Sequence, residues 1–319
     1  MKSLRLNTAI IGLGKIGFLN DLYNLKNSNF PLSHTKAVLC SEELELVVGV
    51  DQNKQSRDYF SNLTQITSVG SIEEIKQKVD LAIISVPTKL HYKIFKSTLE
   101  TIRPKYIILE KPAGMAVAET SEMLEEAQSA GVNVLTPYFR SHAKEIIELR
   151  EAIRLGQKGK VEEVIVIYSH GLRQNGCHFL HLVDYLVGDL DFRIEAAIYD
   201  LENPSWFSYT KDGIKLTFVG LSESKVRSGE VKVICEKGTY TLINGGRFIL
   251  SGDLNLDSAW AENDVALNQI PSLGIHNFYE DIMLKLEDQR LIHDETTRIL
   301  RVQSLMCLLE RESIAKCLN

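Results

Sequence analysis

The stretch LNTAIIGLGKIG, residues 6–17, joins a β-rich run to three glycines in the order G-x-G-x-x-G. The β-rich residues 6–11 predict a short strand, and the glycines predict a tight turn that opens a helix. Gly12 would permit the turn, Gly14 would let a phosphate approach the backbone, and Gly17 would let helix and strand pack closely. Amide donors at the helix N-terminus favour phosphate there, so the predicted dinucleotide contacts in this loop are Gly12, Gly14, Lys15, Ile16 and Gly17.

Four more β-rich runs follow before residue 137, and helical patterns separate them. The runs span residues 44–50, 81–86, 106–109 and 132–135. Strands that alternate with helices predict right-handed crossovers and a doubly wound parallel sheet, the Rossmann arrangement. Ligands bind such sheets beyond the carboxyl ends of the strands, so the residues just after each run are the candidates for contact.

Asp51, at the end of the second run, is the candidate for binding the adenosine ribose. Its carboxylate would accept bonds from the ribose hydroxyls and repel a 2′-phosphate, which favours NAD over NADP. Lys54 and Arg57 lie close in sequence and weaken that preference. A solvated turn carboxylate is the alternative interpretation.

The interval between Gly17 and Asp51 is longer than is usual for this motif. The excess falls in residues 20–32, which we interpret as a loop inserted beside the first helix. Ser33 would then cap a new short helix that runs to Cys40. The sequence assigns no role to this insert.

The second half of the chain has a different pattern. A helix is predicted over residues 145–155, followed by β-rich runs at 161–169, 192–199, 214–221, 231–236 and 240–243, and then by helical sequence over 277–313. The overall fold class is therefore α/β with two domains. We predict a Rossmann domain over residues 1–137 and an α+β domain with an open, mostly antiparallel sheet over residues 138–319.

Composition is that of an ordinary soluble globular protein, with 44% hydrophobic residues, 24% charged residues and a net charge of −6. Lys and Arg form no run or stripe, which gives little support to a nucleic-acid partner. No apolar stretch reaches the roughly 18 residues that span a bilayer, so no membrane partner is expected. Five scattered cysteines without a C-x-x-C pair suit reduced thiols, and we expect a cytoplasmic protein.

Further motifs occur in a recognisable order after the glycine loop. Val86-Pro87-Thr88, with His91 beyond, ends the third run, and Glu110-Lys111-Pro112 follows the fourth. With Tyr138-Phe139-Arg140, Gly159-Lys160-Val161 and Gly176-Cys177-His178, this order resembles the glucose–fructose oxidoreductase / inositol dehydrogenase / MocA family over nearly the whole chain. Residues 168–179 are most similar to members found in surface-polysaccharide and nucleotide-sugar pathways.

The resemblance implies hydride transfer between a nicotinamide and a carbinol carbon. Lys111 resembles the family's catalytic lysine, whose ammonium would hydrogen-bond the reacting hydroxyl and stabilise a developing alkoxide; a surface lysine at a strand end is the alternative. His178 resembles the second catalytic residue, and Asn175 would cap the helix that presents it; a structural histidine is the alternative. The expected contacts on the nicotinamide side are Pro87, Thr88, His91 and Glu110, with Glu110 helping to hold Lys111.

Two positions depart from the pattern of the family. Many members carry an acid where this chain has Gln174, and another where it has His181, so an Asp–Lys–His proton relay is not supported as a set. His178 and His181 share a helix face, but no convincing third ligand is found, and we predict no metal. The expected substrate contacts are Tyr138 and Arg140 at the domain junction, together with Gln174 and Asn175.

The sequence thus favours an NAD-dependent dehydrogenase that acts on a sugar or nucleotide-linked sugar. An imine or keto reductase acting on another substrate is an alternative, since the same hydride geometry serves both. A non-catalytic NAD-binding sensor or assembly protein is a further alternative, motivated by Gln174 and His181. The open face of an antiparallel sheet would be a natural interface, and we expect a homodimer or homotetramer.

Overall fold

The computed structural model of the chain describes residues 5–27, 30–188, 190, 193–222, 225, 228–254, 263–270 and 273–317. Part of the predicted insert, residues 28 and 29, lies outside this set. Within the described residues, no helix combines the length and the apolar character needed to cross a membrane.

The N-terminal sheet is parallel throughout. In the described part of the chain it has six strands: β1 (Leu6–Ile11), β2 (Leu44–Val50), β3 (Ser68–Val69), β4 (Leu81–Ile84), β5 (Tyr106–Leu109) and β6 (Asn133–Leu135). Their order is β3-β2-β1-β4-β5-β6, so the direction of the chain along the sheet reverses between β1 and β4. This is the Rossmann order, and it confirms the predicted fold class.

Both faces of this sheet are buried. Successive side chains of a strand point to opposite sides, and the side chains on each side belong to an apolar cluster. Ala9, Ile11, Val48 and Ile84 belong to one apolar cluster, whereas Ile10, Leu46 and Ile83 belong to another. Near-continuous apolar runs of this kind are typical of parallel strands covered by helices on both sides.

The glycine motif does not open a regular α-helix, and that prediction was wrong. The chain makes one wide helical turn, in which the amides of Phe18 and Leu19 both donate to the Gly14 carbonyl, at 2.8 and 2.9 Å. A single 3-10 turn, Leu19–Asp21, follows. The physical reason lies in the insert, since the chain must leave the helical path to form it.

The chain after the insert forms the short helix α1 (His34–Cys40). The Ser33 side chain accepts from the Lys36 amide, as predicted for its N-cap. The other helices with described bounds are α2 (Lys54–Thr64), α3 (His91–Thr101), α4 (Val117–Ala130), α5 (Lys144–Arg154), α6 (Cys177–Val187), α7 (Ile275–Met283) and α8 (Gln289–Cys317).

Helix α7 completes the cover of the N-terminal sheet. Ile275, Phe278, Tyr279 and Ile282, spaced along one helical face, belong to the same apolar cluster as Ile10. Seven residues make a helix only about 10 Å long, so α1 alone is too short to cover this face.

The second sheet confirms the predicted open, mostly antiparallel arrangement. Its strands within the described residues are β7 (Val161–Ser169), β8 (Arg193–Ile198), β9 (Ser205–Tyr209), β10 (Lys215–Leu221), β11 (Gly229–Cys235), β12 (Gly238–Ile243), β13 (Phe248–Leu254) and β14 (Asn263–Gln269). They lie in the order β14-β13-β12-β11-β7-β10-β9-β8. The pair β7 and β10 is parallel, whereas the other neighbours are antiparallel.

The chain divides into two compact units. The first contains residues 1–139 and 274–303, and the second contains residues 140–273 and 304–319. The predicted boundary near residue 138 coincides with the first division, but the predicted second domain is not continuous. Residues 274–303 belong with the Rossmann sheet because α7 buries its apolar face there.

Candidate functional site

The glycine loop lies at the carboxyl end of β1. Gly12 has a φ of +101°, and a Cβ there would lie 2.8 Å from the backbone of Ser85. A Cβ on Gly17 would lie 1.9 Å from the Gly12 carbonyl oxygen, whereas a Cβ on Gly14 would have no protein atom within 4 Å. Gly12 and Gly17 are therefore required for packing inside the loop, and Gly14 leaves its backbone open to a ligand.

A cavity of about 330 Å³ opens beside this loop, at the point where the strand order reverses. Of the predicted cofactor contacts, Gly12, Gly14, Asp51 and Pro87 line it. The rest of its lining comes mainly from the ends of β2, β3 and β4 and from α3, and includes Gln52, Gly70, Ser71, Glu73, Lys93 and Ser97.

Asp51 is tied to the glycine loop. Its two carboxylate oxygens accept from the amides of Leu13 and Asn53, each at 2.7 Å. A carboxylate oxygen can accept more than one bond, so both retain capacity for ribose hydroxyls. The fixed negative charge at the mouth of the cavity disfavours a 2′-phosphate.

The two basic residues that weakened this preference have partners other than the Asp51 carboxylate. Arg57 donates to the backbone carbonyls of Asp51 and Gln52, at 2.7 and 3.0 Å. Lys54 pairs with Asp58 at 2.7 Å on the surface of α2. The Asp51 carboxylate lines the cavity beside the end of β2 and is consistent with NAD.

The residues after β4 and β5 are held together by His91. Its ring nitrogens lie 2.9 Å from the carbonyl oxygen of Val86 and 3.1 Å from that of Ala113. Burial lowers the pKa of His91, and its hydrogen bonds to these carbonyls offset this only in part. His91 thus connects two loops, and direct contact with the cofactor remains a prediction. Thr88, half-buried, begins the 3-10 turn before α3.

Glu110 and Lys111 follow β5 directly. The Lys111 amide donates to a Glu110 carboxylate oxygen at 2.9 Å. The other Glu110 oxygen lies 3.1 Å from His34 Nε2, and His34 Nδ1 lies 2.7 Å from the Tyr279 hydroxyl. Burial raises the pKa of Glu110, but the hydrogen bond to His34 and the charge of Lys111 outweigh it, so the pKa lies below the usual value.

The first unit therefore fits a dinucleotide on its own observations. It offers an open glycine backbone, a carboxylate held beside that loop and a lined cavity at the switch point of the sheet. The exposed Lys15 and half-buried Ile16 belong to the same loop. The sequence did not identify Ser85, whose hydroxyl donates to the Gly12 carbonyl at 2.8 Å, although its place directly after β4 was a usable signal.

In the second unit, His178 is the second residue of α6 and is buried. Asn175 does not cap this helix, so that prediction was wrong. A π-helical turn, Leu172–Gly176, runs directly into α6, and no side chain caps the junction. The Asn175 amide group instead donates to the carbonyls of Ser169 and Ser228, at 3.0 and 3.1 Å. Single π turns are frequent at functional sites.

The other predicted contacts of this region have different surroundings. Gln174 is exposed on the π turn. Arg140 Nε donates to the Gly245 carbonyl at 2.8 Å, and its guanidinium lies 4.9 Å from the centre of the Phe179 ring. Tyr138, the last of the predicted contacts, belongs to the first unit and is buried after β6.

His181 is buried and lies 3.4 Å from the Ser141 hydroxyl through its Nδ1. One oxygen of Asp184 accepts from the Leu190 amide at 3.1 Å. Within the described ranges, no group of three or more His, Cys, Asp and Glu side chains is arranged to hold a metal.

Two solved structures share this fold over nearly their full length. An NAD-binding oxidoreductase from Klebsiella pneumoniae has a TM-score of 0.78 at 14% identity, over 98% of both chains. The WlbA dehydrogenase from Bordetella pertussis, solved with NADH and UDP-GlcNAcA, has a TM-score of 0.75 at 14% identity, over 98% of this chain and 97% of that one. At such identities these likenesses show the fold alone.

The curated relative is an uncharacterized oxidoreductase, YfiI, from Bacillus subtilis (strain 168). It is 31% identical over 101 residues, which are 31% of this chain and 25% of that protein. The matched segment thus spans about a quarter of the relative's length. A family model described as an oxidoreductase family with an NAD-binding Rossmann fold matches residues 6–138. Over these residues the N-terminal domain is similar to the Gfo/Idh/MocA family of NAD-binding oxidoreductases.

Proposed function

We propose that this protein is an NAD-dependent dehydrogenase or reductase that acts on a carbinol or ketone carbon of a sugar or nucleotide-linked sugar. The observation that carries the proposal is the placement of Lys111. It follows β5 at the carboxyl edge of the same sheet whose β1, β2 and β4 ends line the dinucleotide cavity, and its amide is fixed by a buried carboxylate.

NAD, held by the glycine loop and Asp51, would supply the acceptor for a hydride released from the carbinol carbon. The role of Lys111 is to hydrogen-bond the reacting oxygen through Nζ. It takes the hydroxyl proton as the C–O bond becomes a carbonyl, and returns it in the reverse direction. In the direction of oxidation Nζ starts as the neutral amine, and the ammonium that forms as it takes the proton stabilises the developing alkoxide; in the reverse direction the ammonium gives the proton back.

His178 is the proposed second proton-carrying group. An imidazole exchanges protons near neutral pH, and the helix that carries His178 starts from a π turn rather than from a capped loop. The proposed substrate contacts are Tyr138, Arg140, Gln174 and Asn175. Of these, Gln174 is exposed and has an amide suited to a sugar hydroxyl.

A sugar-type substrate is supported by the structures that share the fold. Besides WlbA with UDP-GlcNAcA, they include KijD10, a 3-ketoreductase from Actinomadura kijaniata solved with TDP-benzene and NADP. The resemblance of residues 168–179 to nucleotide-sugar enzymes supports the same substrate class.

The test is to mix the protein with NAD and a panel of sugars, inositols and nucleotide sugars, and to follow nicotinamide absorbance. Lys111→Ala is expected to abolish turnover while NADH still binds. Lys76→Ala is the matched control, because this lysine is exposed on the same unit, and it is expected to behave like the parent. Turnover by Lys111→Ala at the parent rate would refute the proposed mechanism.

The second candidate is a non-catalytic NAD-binding protein, and the residues Gln174 and His181 favour it, because neither can replace the acids found in many relatives. This candidate predicts that NADH binds, that no panel substrate is turned over, and that Lys111→Ala leaves the biological function intact.

We also propose that the chain forms a homodimer or homotetramer through the second sheet. Val265 and Leu267 on β14 are 60% and 61% exposed, and apolar side chains on an open sheet are typical of an interface. Light scattering at micromolar concentration should report a dimer or tetramer, and a monomer alone would contradict the proposal.

A further inference from the structure

A buried chain of three side chains ends at the backbone of Lys111. The Tyr279 hydroxyl lies 2.7 Å from His34 Nδ1, His34 Nε2 lies 3.1 Å from one Glu110 oxygen, and the other Glu110 oxygen accepts from the Lys111 amide at 2.9 Å. His34 is 0% exposed, Tyr279 3% and Glu110 8%. A polar chain this deeply buried is costly unless every member is paired, and these members pair with one another.

The charge state of Glu110 fixes the direction of one link of the chain, the hydrogen bond between His34 and Glu110. Burial raises the pKa of Tyr279 well above its ordinary value, and the charge of Glu110 raises it further, so the phenol keeps its proton. The lowered pKa of Glu110 keeps its carboxyl ionised near neutrality. An ionised Glu110 can only accept, so His34 Nε2 carries a hydrogen and donates it to Glu110.

His34 also links Glu110 to the glycine loop. It is the first residue of α1, and its amide donates to the Ile16 carbonyl at 2.9 Å. The next residue, Thr35, donates to the Gly17 carbonyl through its amide at 2.9 Å and through its hydroxyl at 2.7 Å. The N-terminus of α1 therefore contacts both the phosphate-binding backbone and the carboxylate beside Lys111.

We propose that His34 and Tyr279 are positioning residues for Lys111, and that the insert before α1 serves to bring His34 to this place. They hold Glu110 in one orientation as a carboxylate, and Glu110 fixes the Lys111 backbone relative to the glycine loop. The inference rests on the proposed function, because it assumes that Lys111 moves the proton. It assigns a role to residues 20–32 that the sequence alone left open.

The Lys111 amide reports on this arrangement without any substrate. Its proton NMR shift, followed from about pH 8 to about pH 2.5, records protonation of the carboxylate that it contacts. The titratable groups that act on Glu110 within the described residues are His34, Tyr279, Lys111 and His91. In His34→Leu the carboxylate loses a charge-assisted donor, so the transition is expected to move up by about one to two pH units.

Two conservative variants make the test specific. His34→Gln keeps an N–H donor and is expected to restore most of the parent transition. Tyr279→Phe removes only the hydroxyl and should shift the transition in the same direction as His34→Leu. Tyr240 is a buried tyrosine of the second unit, so Tyr240→Phe is the control and should leave the transition unchanged. With a substrate from the panel, kcat of His34→Leu should fall on the order of tenfold while KM for NAD changes little.

An unchanged Lys111 transition in His34→Leu and in Tyr279→Phe, in proteins that fold and bind NADH like the parent, overturns the proposal. If His34→Leu does not fold, Tyr279→Phe decides alone. Failure of the proposed function is distinguishable, because it would appear as turnover by Lys111→Ala, or as no turnover of any panel substrate by the parent, regardless of the titration.

Discussion

Replacing Gly14 and Gly17 by alanine, one at a time, separates phosphate recognition from packing in the glycine loop. A Cβ at position 17 would lie 1.9 Å from the Gly12 carbonyl oxygen, so the backbone must move by about 1 Å to admit it. Overpacking of this kind costs about 1–3 kcal/mol. At about 2–4 °C per kcal/mol, the melting temperature of Gly17→Ala should fall by about 2–12 °C.

Gly14→Ala is the matched variant, with the opposite expectation for stability. No protein atom lies within 4 Å of the added Cβ, and the φ of Gly14 is not in the left-handed region. The melting temperature should therefore stay constant or rise slightly, because alanine reduces the entropy of the unfolded chain. The methyl group would occupy the space through which a phosphate approaches the loop.

Binding of NADH, measured by nicotinamide fluorescence, completes this test. Loss of one amide bond to a charged phosphate costs about 1.5–3 kcal/mol, so the Kd for NADH of Gly14→Ala should rise about 10- to 100-fold. A Kd within about twofold of the parent would refute the reasoning that Gly14 forms the phosphate cradle. A melting temperature of Gly17→Ala equal to that of the parent would refute the packing argument.

Three other perturbations follow from the same contacts. Asp51→Ala removes a carboxylate that lines the cavity. The Kd for NADH should rise about tenfold or more, whereas the Kd for NADPH should change less. An unchanged ratio of the two Kd values would contradict the assigned role. Burial lowers the pKa of His91 below its ordinary 6.5 in the folded protein. The unfolded chain therefore binds the proton first, and stability is lost as the pH falls below that value. Thermal melts from about pH 7.5 to about pH 5.5 should show a steeper loss in the parent than in His91→Gln. Lys36→Met removes the cation that pairs with buried Asp21 at 3.9 Å and leaves that carboxylate only its bonds from the Leu32 amide and the Ser33 hydroxyl. It should destabilise the protein by roughly 3–5 kcal/mol in chemical unfolding, and Asp21→Asn added to it should recover part of that loss.

The sequence by itself determined the Rossmann half of the protein. Its strands are near-continuous apolar runs, and β1, β2 and β5 have the predicted bounds, because a parallel strand buried on both faces tolerates few polar residues. The G-x-G-x-x-G motif, Asp51 and the Glu110-Lys111 pair are local in sequence. Their place after each strand followed from the rule that ligands bind at the carboxyl edge.

Only the tertiary structure decided the contacts between residues far apart in the chain. Tyr279 and Glu110 both meet His34, yet they lie 245 and 76 positions from it in sequence. No periodicity or spacing could have paired them, because a hydrogen bond depends on side-chain position within a few tenths of an ångström. Helix α7 likewise has an ordinary amphipathic pattern, which shows that one face is buried but not which sheet buries it. Helix α7 packs on the first sheet because the short α1 leaves apolar surface of that sheet uncovered. Burial of that surface by α7 stabilises the fold.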